Sequence, residues 1–120
     1  MIMHSCEDAL QSQIVEGWGS LTWLAGSKIG NATGLTLGRV IIKAGQSNPR
    51  HCHRNCEEVL YLMSGRLRHT VGPESVVVEP GASLTIPAGE FHNAFSIGSE
   101  DADMIVAYSS ADRDFVLETQ

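Results

Sequence analysis

The sequence predicts an all-β fold, a sandwich or barrel of short strands. Three observations predict it. Apolar and β-branched runs of four to nine residues recur along the chain at nearly even spacing. Gly or Pro turn formers stand between them. Beyond the first thirty residues, no stretch keeps the 3.6-residue apolar period of a helix.

The elements follow in order. Residues 7–16, EDALQSQIVE, fit either a short helix or an arm. LTLGRVIIK (35–43) is the first strand, interrupted by AGQSNP (44–49). EEVLYLM (57–63) stops at Ser64-Gly65, and RLRHTV (66–71) alternates polar and apolar residues after it. GPE (72–74) turns into SVVVE (75–79), and Pro80-Gly81 turns into SLTI (83–86). PAG (87–89) precedes FHNAFSI (91–97), and the polar turn GSED (98–101) precedes ADMIVAYS (102–109). No internal repeat, linker or low-complexity tract interrupts this series.

At 120 residues the chain is expected to form one domain, 1–120, with its core across 34–110. A formal net charge of −6 argues against nucleic acid or an anionic membrane as partner, since both need a basic patch. Basic residues crowd the middle (Arg39, Lys43, Arg50, Arg54, Arg66, Arg68), and acidic ones load the tail (Glu100, Asp101, Asp103, Asp112, Asp114, Glu118). A basic stripe could face an anionic small molecule, but alternating Arg66 and Arg68 are expected to mark the wet face of a strand. No apolar run approaches the roughly 18 residues that cross a bilayer, and the start carries no secretory pattern. Three cysteines, an odd number, fit free thiols in a reducing compartment, so a cytoplasmic location is expected.

Residues 51–58 read HCHRNCEE, which concentrates the side chains that bind borderline metal ions. Strand side chains alternate faces, so His51 and His53 share one side and Cys52 takes the other. No second cysteine pair completes a structural zinc set, and the haem-attachment order C-x-x-C-H is absent. Cys52 and Cys56 are therefore expected to serve as small hydrophobes, leaving a metal to nitrogen and oxygen donors.

The wider frame carries a resemblance. Gly45-x5-His51-x-His53-x4-Glu58-x6-Gly65 resembles the first motif of the cupin superfamily, and Gly81-x5-Pro87-x-Gly89-x2-His92-x3-Ser96 resembles the second. Only Ser96 departs, standing where the family pattern has asparagine, at a position that is not a metal ligand. The motifs cover 45–65 and 81–96. The resemblance implies a cupin jelly-roll β-barrel in which His51, His53, Glu58 and His92 bind one divalent ion, Fe, Mn, Zn or Ni. It selects Glu58 over Glu57, and alternation independently sends these neighbours to opposite faces. Gly65 and Gly81 are expected at tight turns with positive φ. Pro87 and Gly89 are expected to set where His92 emerges.

Three neutral imidazoles and one carboxylate leave a six-coordinate divalent ion with two free positions, room for substrate or for substrate and dioxygen. Proteins resembling this one include dioxygenases, isomerases, lyases and non-catalytic binders. The expected function is a metal-dependent enzyme on a small polar substrate, dioxygenase-like or isomerase/lyase-like; a metal-containing binding or sensing module is the alternative. Glu58, His69 and Tyr108 are the candidate catalytic residues. His69 otherwise reads as a half-buried strand histidine, and Tyr108 as a core ring with its hydroxyl at a rim. Arg39 fits either a substrate carboxylate or a surface position, and Trp18 and Trp23 either cap the barrel or sit in an interface. Leu60 and Leu62 should share the face of Glu58, and Ala94 and Ser96 that of His92. A small-molecule substrate or ligand and a homodimer are the expected partners.

Overall fold

The computed structural model describes residues 1–119. One short helix, α1 (Cys6–Gln11), precedes eleven strands. They are β1 (Ile14–Glu16), β2 (Gly19–Ala25), β3 (Thr36–Ile42), β4 (His51–Cys52), β5 (Glu58–Ser64) and β6 (Leu67–Val71). Then come β7 (Glu74–Val78), β8 (Ser83–Ile86), β9 (His92–Ser96), β10 (Ala102–Tyr108) and β11 (Val116–Leu117). The alternative left open for 7–16 resolves as both: a helix nucleated by the Ser5–Asp8 capping box, then the first strand.

The strands form two sheets, in the orders β1-β2-β3-β10-β5-β8 and β11-β4-β9-β6-β7. Every pairing between them is antiparallel. This is the jelly roll expected of a cupin barrel, and period-2 alternation builds it. In β5 the residues Glu58, Leu60 and Leu62 are buried while Val59, Tyr61 and Met63 are exposed. In β10 the buried set is Ala102, Met104, Val106 and Tyr108. Ile42, Leu60, Leu62, Leu67 and Met104 fill the space between the sheets. Arg66 and Arg68 face water as expected, Arg66 paired with Glu79 and Arg68 lying over Phe95.

Strands β1, β2 and β11 lie outside residues 34–110. β2 pairs along almost all of β3, and β11 closes the other sheet against β4. Their signal is weak: β2 opens on Gly19 and Ser20, residues of turn character, and a two-residue strand such as β11 has no periodicity at all.

The two motifs are stitched together through the backbone. Gly45 N donates to Ser96 O and Ser96 N to Gln46 O, each at 2.9 Å. These bonds join the first two residues of one motif to the last of the other. Gly89 N donates to His53 O at 2.8 Å, and Gly89 holds a φ of +83°, left-handed backbone that glycine adopts without strain. The PAG turn is thus tied to a candidate ligand as well as leading into β9. Gly65 and Gly81 also take positive φ, as expected.

Candidate metal centre

Register places the candidate ligands. His51 on β4 stands directly opposite His92 on β9, so the second motif's imidazole is delivered onto the first motif's pair. Glu58 opens β5 opposite Tyr108 on β10. His53 lies one residue beyond β4, after Cys52. One donor atom from each of His51, His53, Glu58 and His92 lies within 4.8 Å of every other, and all four residues are buried. Glu57 is exposed, and neither Cys52 nor Cys56 lines the cavity. The facing argument holds.

Ring orientation follows from two carbonyls. His51 Nδ1 is 2.7 Å from Pro49 O, and His53 Nδ1 is 2.7 Å from Asp114 O. A carbonyl oxygen only accepts, so both Nδ1 atoms carry the proton and both Nε2 atoms present a lone pair. That is the arrangement that orients a metal-binding histidine. His53 Nε2 then faces Glu58 Oε1 at 3.3 Å, lone pair against carboxylate oxygen, and His92 Nε2 lies 3.6 Å from the same oxygen. Among the described residues, His53 Nε2, Glu58 Oε1 and His92 Nε2 have no hydrogen-bond partner. Leaving such groups buried and unsatisfied costs about 1–3 kcal/mol each, more for a charged one. A cation between them removes the penalty. Ligands at ~2.1 Å from a six-coordinate ion sit about 3.0 Å apart when adjacent and about 4.2 Å when opposite. The donor set fits a divalent metal in number and chemistry, and its separations, all within 4.8 Å, close on an ion with movements of a few tenths of an ångström.

Electrostatics keeps the donors in their binding forms. Burial lowers His51 to about 4, against the raising effect of its bond to Pro49. Burial lowers His92 to about 3, with Glu58 opposing. Burial raises Glu58, and the neighbouring imidazoles of His53, His92 and His69 lower it only in so far as they carry charge. At neutral pH His51 and His92 are therefore neutral imidazoles, the form that binds a metal.

The cluster opens on a cavity of about 260 Å³. That is roughly the liquid volume of eight or nine waters, so the occupant is small. Val40, Leu60, Ala94, Met104 and Val106 give it apolar walls. His69 and Tyr108 also line it. His69 is 2% exposed rather than half-buried, its ring stacked 5.5 Å from that of His92, with Nδ1 unpartnered among the described residues. Burial lowers its pKa. Tyr108 is buried with its ring edge-on to His53. Burial and then the charge of Glu58 raise it well above the ordinary phenol value. Arg39 is exposed and paired to Asp103 through two hydrogen bonds of 2.9 and 2.6 Å, a surface position away from the cavity. Trp18 and Trp23 pack against the core, and Trp18 lines the cavity. Ser96 Oγ, where the family pattern has asparagine, is buried and unpartnered among the described residues.

Sequence reasoning missed the tail. Asp114 orients His53 through its carbonyl, Phe115 stacks on His51 at 4.7 Å, and Arg113 lines the cavity. One signal was available: Arg113 is the only Lys or Arg after Arg68, an isolated cation in an acidic stretch.

A family profile described as "Cupin domain" matches residues 38–108. The chain is 31% identical over 85 residues to germin-like protein 3-8 of Oryza sativa subsp. japonica, across 67% of this chain and 38% of that protein. It is 32% identical over 88 residues to oxalate oxidase GF-2.8 of Triticum aestivum, across 67% of this chain and 39% of that protein. The chain therefore spans about two fifths of the length of these relatives. Among solved structures, a recombinant oxalate oxidase in complex with glycolate superposes with a TM-score of 0.76 at 26% identity, over 86% of this chain and 56% of that one. Oxalate decarboxylase from Bacillus subtilis shares the fold, with a TM-score of 0.83 at 19% identity over 92% of this chain and 30% of that one.

Proposed function

The chain belongs to the cupin family, and we propose that it is a metal-dependent enzyme that transforms a small polar molecule. The observation that carries the reading is the buried, partnerless convergence of His53 Nε2, His92 Nε2 and Glu58 Oε1. A divalent ion held there by His51, His53, Glu58 and His92 would supply an electrophilic centre with open positions and, if redox-active, electron exchange with dioxygen. Oxidation is the favoured reaction class because relatives at 32% identity are named oxalate oxidases. Proton abstraction at the same centre is its competitor.

Turnover, rather than storage of a ligand, is supported by two buried groups of the cavity wall outside the ligand set. His69 is kept neutral by burial and offers a base at neutral pH. Tyr108 stays a protonated phenol beside Glu58 and offers a donor. Glu58 is fixed as a ligand, so the proton-moving roles fall to His69 and Tyr108. The apolar walls exclude water from the reacting atoms.

The same reading includes a homodimer, supported by the exposed apolar residues Val59, Tyr61 and Met63 on the outer face of β5, and sedimentation tests it. It also includes a cytoplasmic, reducing setting, supported by the free thiols of Cys6, Cys52 and Cys56; thiol titration of protein isolated under alkylating conditions tests that.

The deciding experiment loads the chain separately with Mn, Fe, Zn and Ni and offers small acids, diketones and phenols. Oxygen uptake and product NMR are followed. Conversion that falls at least tenfold in His69→Asn at unchanged metal content supports the enzyme. Full metal occupancy with no conversion of any substrate supports the binding module.

A further inference from the structure

Of the six arginines of this chain, four pair with a carboxylate, Arg68 lies over Phe95 on the exposed face of β6, and Arg113 alone lines the cavity. Arg39, Arg50, Arg54 and Arg66 each pair with a carboxylate: Asp103, Glu118, Asp114 and Glu79. Arg113 pairs with none among the described residues, although Asp112 and Asp114 flank it in sequence. Asp114 is engaged with Arg54. Instead the Arg113 guanidinium lies 4.3 Å from the ring of Trp23, 5.0 Å from Tyr108 and 5.8 Å from Phe115. These rings hold it by cation–π attraction and cover its faces, which leaves the N–H edges as its interacting surface. Trp23 can lie there because β3 carries glycine opposite it: a Cβ at Gly38 would come within 2.7 Å of the indole.

Its polar contact with His53 does not satisfy it. Arg113 Nη1 is 3.4 Å from His53 Nδ1, but that nitrogen already gives its proton to Asp114 O at 2.7 Å and has no lone pair to offer. An unpaired cation therefore stands one imidazole ring away from the ligand cluster, on the wall of the same cavity. Three imidazoles, one carboxylate and a divalent ion carry a net +1, and Arg113 makes the cavity more positive still. Of the remaining lining residues only Glu16, itself exposed to solvent, is anionic, and most of the others are apolar, so the charge beside the cluster is only partly screened.

We propose that Arg113 is the specificity-determining residue of this site, taking the carboxylate of a small organic acid while the substrate's other oxygen faces the ligand cluster. The inference rests on the metal-enzyme reading and narrows its substrate from polar molecules to carboxylates. A planar guanidinium with its edges free matches a carboxylate through two parallel hydrogen bonds, which a neutral amide does not reproduce. The cavity volume of about 260 Å³ limits the acid to a few carbons.

Glycolate and its neutral amide, glycolamide, are titrated calorimetrically into metal-loaded wild type, Arg113→Gln and Arg113→Lys. Metal content and melting temperature are read on the same samples. Wild type is expected to prefer glycolate by about ten- to a hundredfold, the scale of hydrogen bonds to a charged group. Arg113→Gln should bind the two alike at unchanged metal content, and Arg113→Lys should retain a reduced preference. Equal affinities in wild type, no binding of either, or a preference that survives Arg113→Gln overturns the role of Arg113 while the metal reading stands. A folded chain that takes up no metal overturns the metal reading itself. The lysine variant separates loss of the anion contact from collapse of the aromatic box.

Discussion

Glu58→Gln should make the metal-free protein more stable and the metal-supplemented protein less so. In the metal-free chain, Glu58 Oε1 and the His53 Nε2 lone pair face each other at 3.3 Å, both buried and without hydrogen-bond partners among the described residues. Glutamine is nearly isosteric and removes the buried charge. Its amide N–H₂ can also donate to the imidazole lone pair that the carboxylate only opposes. Relieving one unsatisfied buried acceptor and forming a hydrogen bond contributes about 1–3 kcal/mol. For a chain of this size that is roughly 4 °C of melting temperature per kcal/mol, or about 4–12 °C in all. Addition of metal reverses the order. A ligand present at about a hundred times its dissociation constant stabilises wild type by about 2.7 kcal/mol, and the amide, a neutral donor, should gain much less. The assay is a pair of thermal melts for each protein, one after exhaustive chelation and one with excess Mn, Fe, Zn or Ni. Metal-free Glu58→Gln melting several degrees below metal-free wild type would mean that the protein alone satisfies Glu58, and the lone-pair argument would fail.

Three further outcomes are expected. His92→Ala should reduce metal content by tenfold or more, whereas Cys52→Ala and Glu57→Gln should leave it near wild type, as elemental analysis would read; equal losses would refute the division of faces along β4 and β5. Gly89→Val places a β-branched residue at a φ of +83° and strains the turn that holds His53 O, so stability should fall by about 1–3 kcal/mol and metal content with it; unaltered denaturation and occupancy would contradict this. The metal-free protein should also lose stability on acidification. His51 and His92 are depressed to about 4 and about 3 from an unfolded value near 6.5, so the unfolded chain binds more protons in between. Their contribution is complete above pH 6.5 and disappears as pH falls through about 4 and then about 3, with a slope of up to about 1.4 kcal/mol per pH unit for each histidine. Urea denaturation of chelated protein from pH 7 to pH 4 measures it, and a flat profile would be inconsistent with buried neutral imidazoles.

Period-2 alternation made much of this legible. It separates Glu58 from Glu57, His51 from Cys52, and the buried from the exposed side of β5, because the strand itself imposes those partitions. Convergence of the motifs was legible only through resemblance; spacing alone does not reveal that β4 and β9 become neighbours with His51 opposite His92. Hidden from sequence were the contacts that depend on long-range closure. The alternation of its strand predicts a half-buried His69, yet the ring stacks on His92 and is almost fully out of water. The tail carries no periodicity, so nothing local announced that Asp114 O orients His53 or that Phe115 lies on His51. Arg39 and Arg113 are the instructive pair: one belongs to the basic middle of the chain and the other stands alone in the acidic tail, and only the structure shows that Asp103 neutralises the first while aromatic rings hold the second beside the site.

The stoichiometry of tightly held metal tests the central claim most directly. Protein stripped with chelator, refilled with each of Mn, Fe, Zn and Ni and freed of excess should retain one divalent ion per chain for at least one of them, and Nδ1-protonated imidazole signals of His51 and His53 should shift with it. Less than a tenth of an equivalent of every metal, in protein that remains folded, would contradict the account.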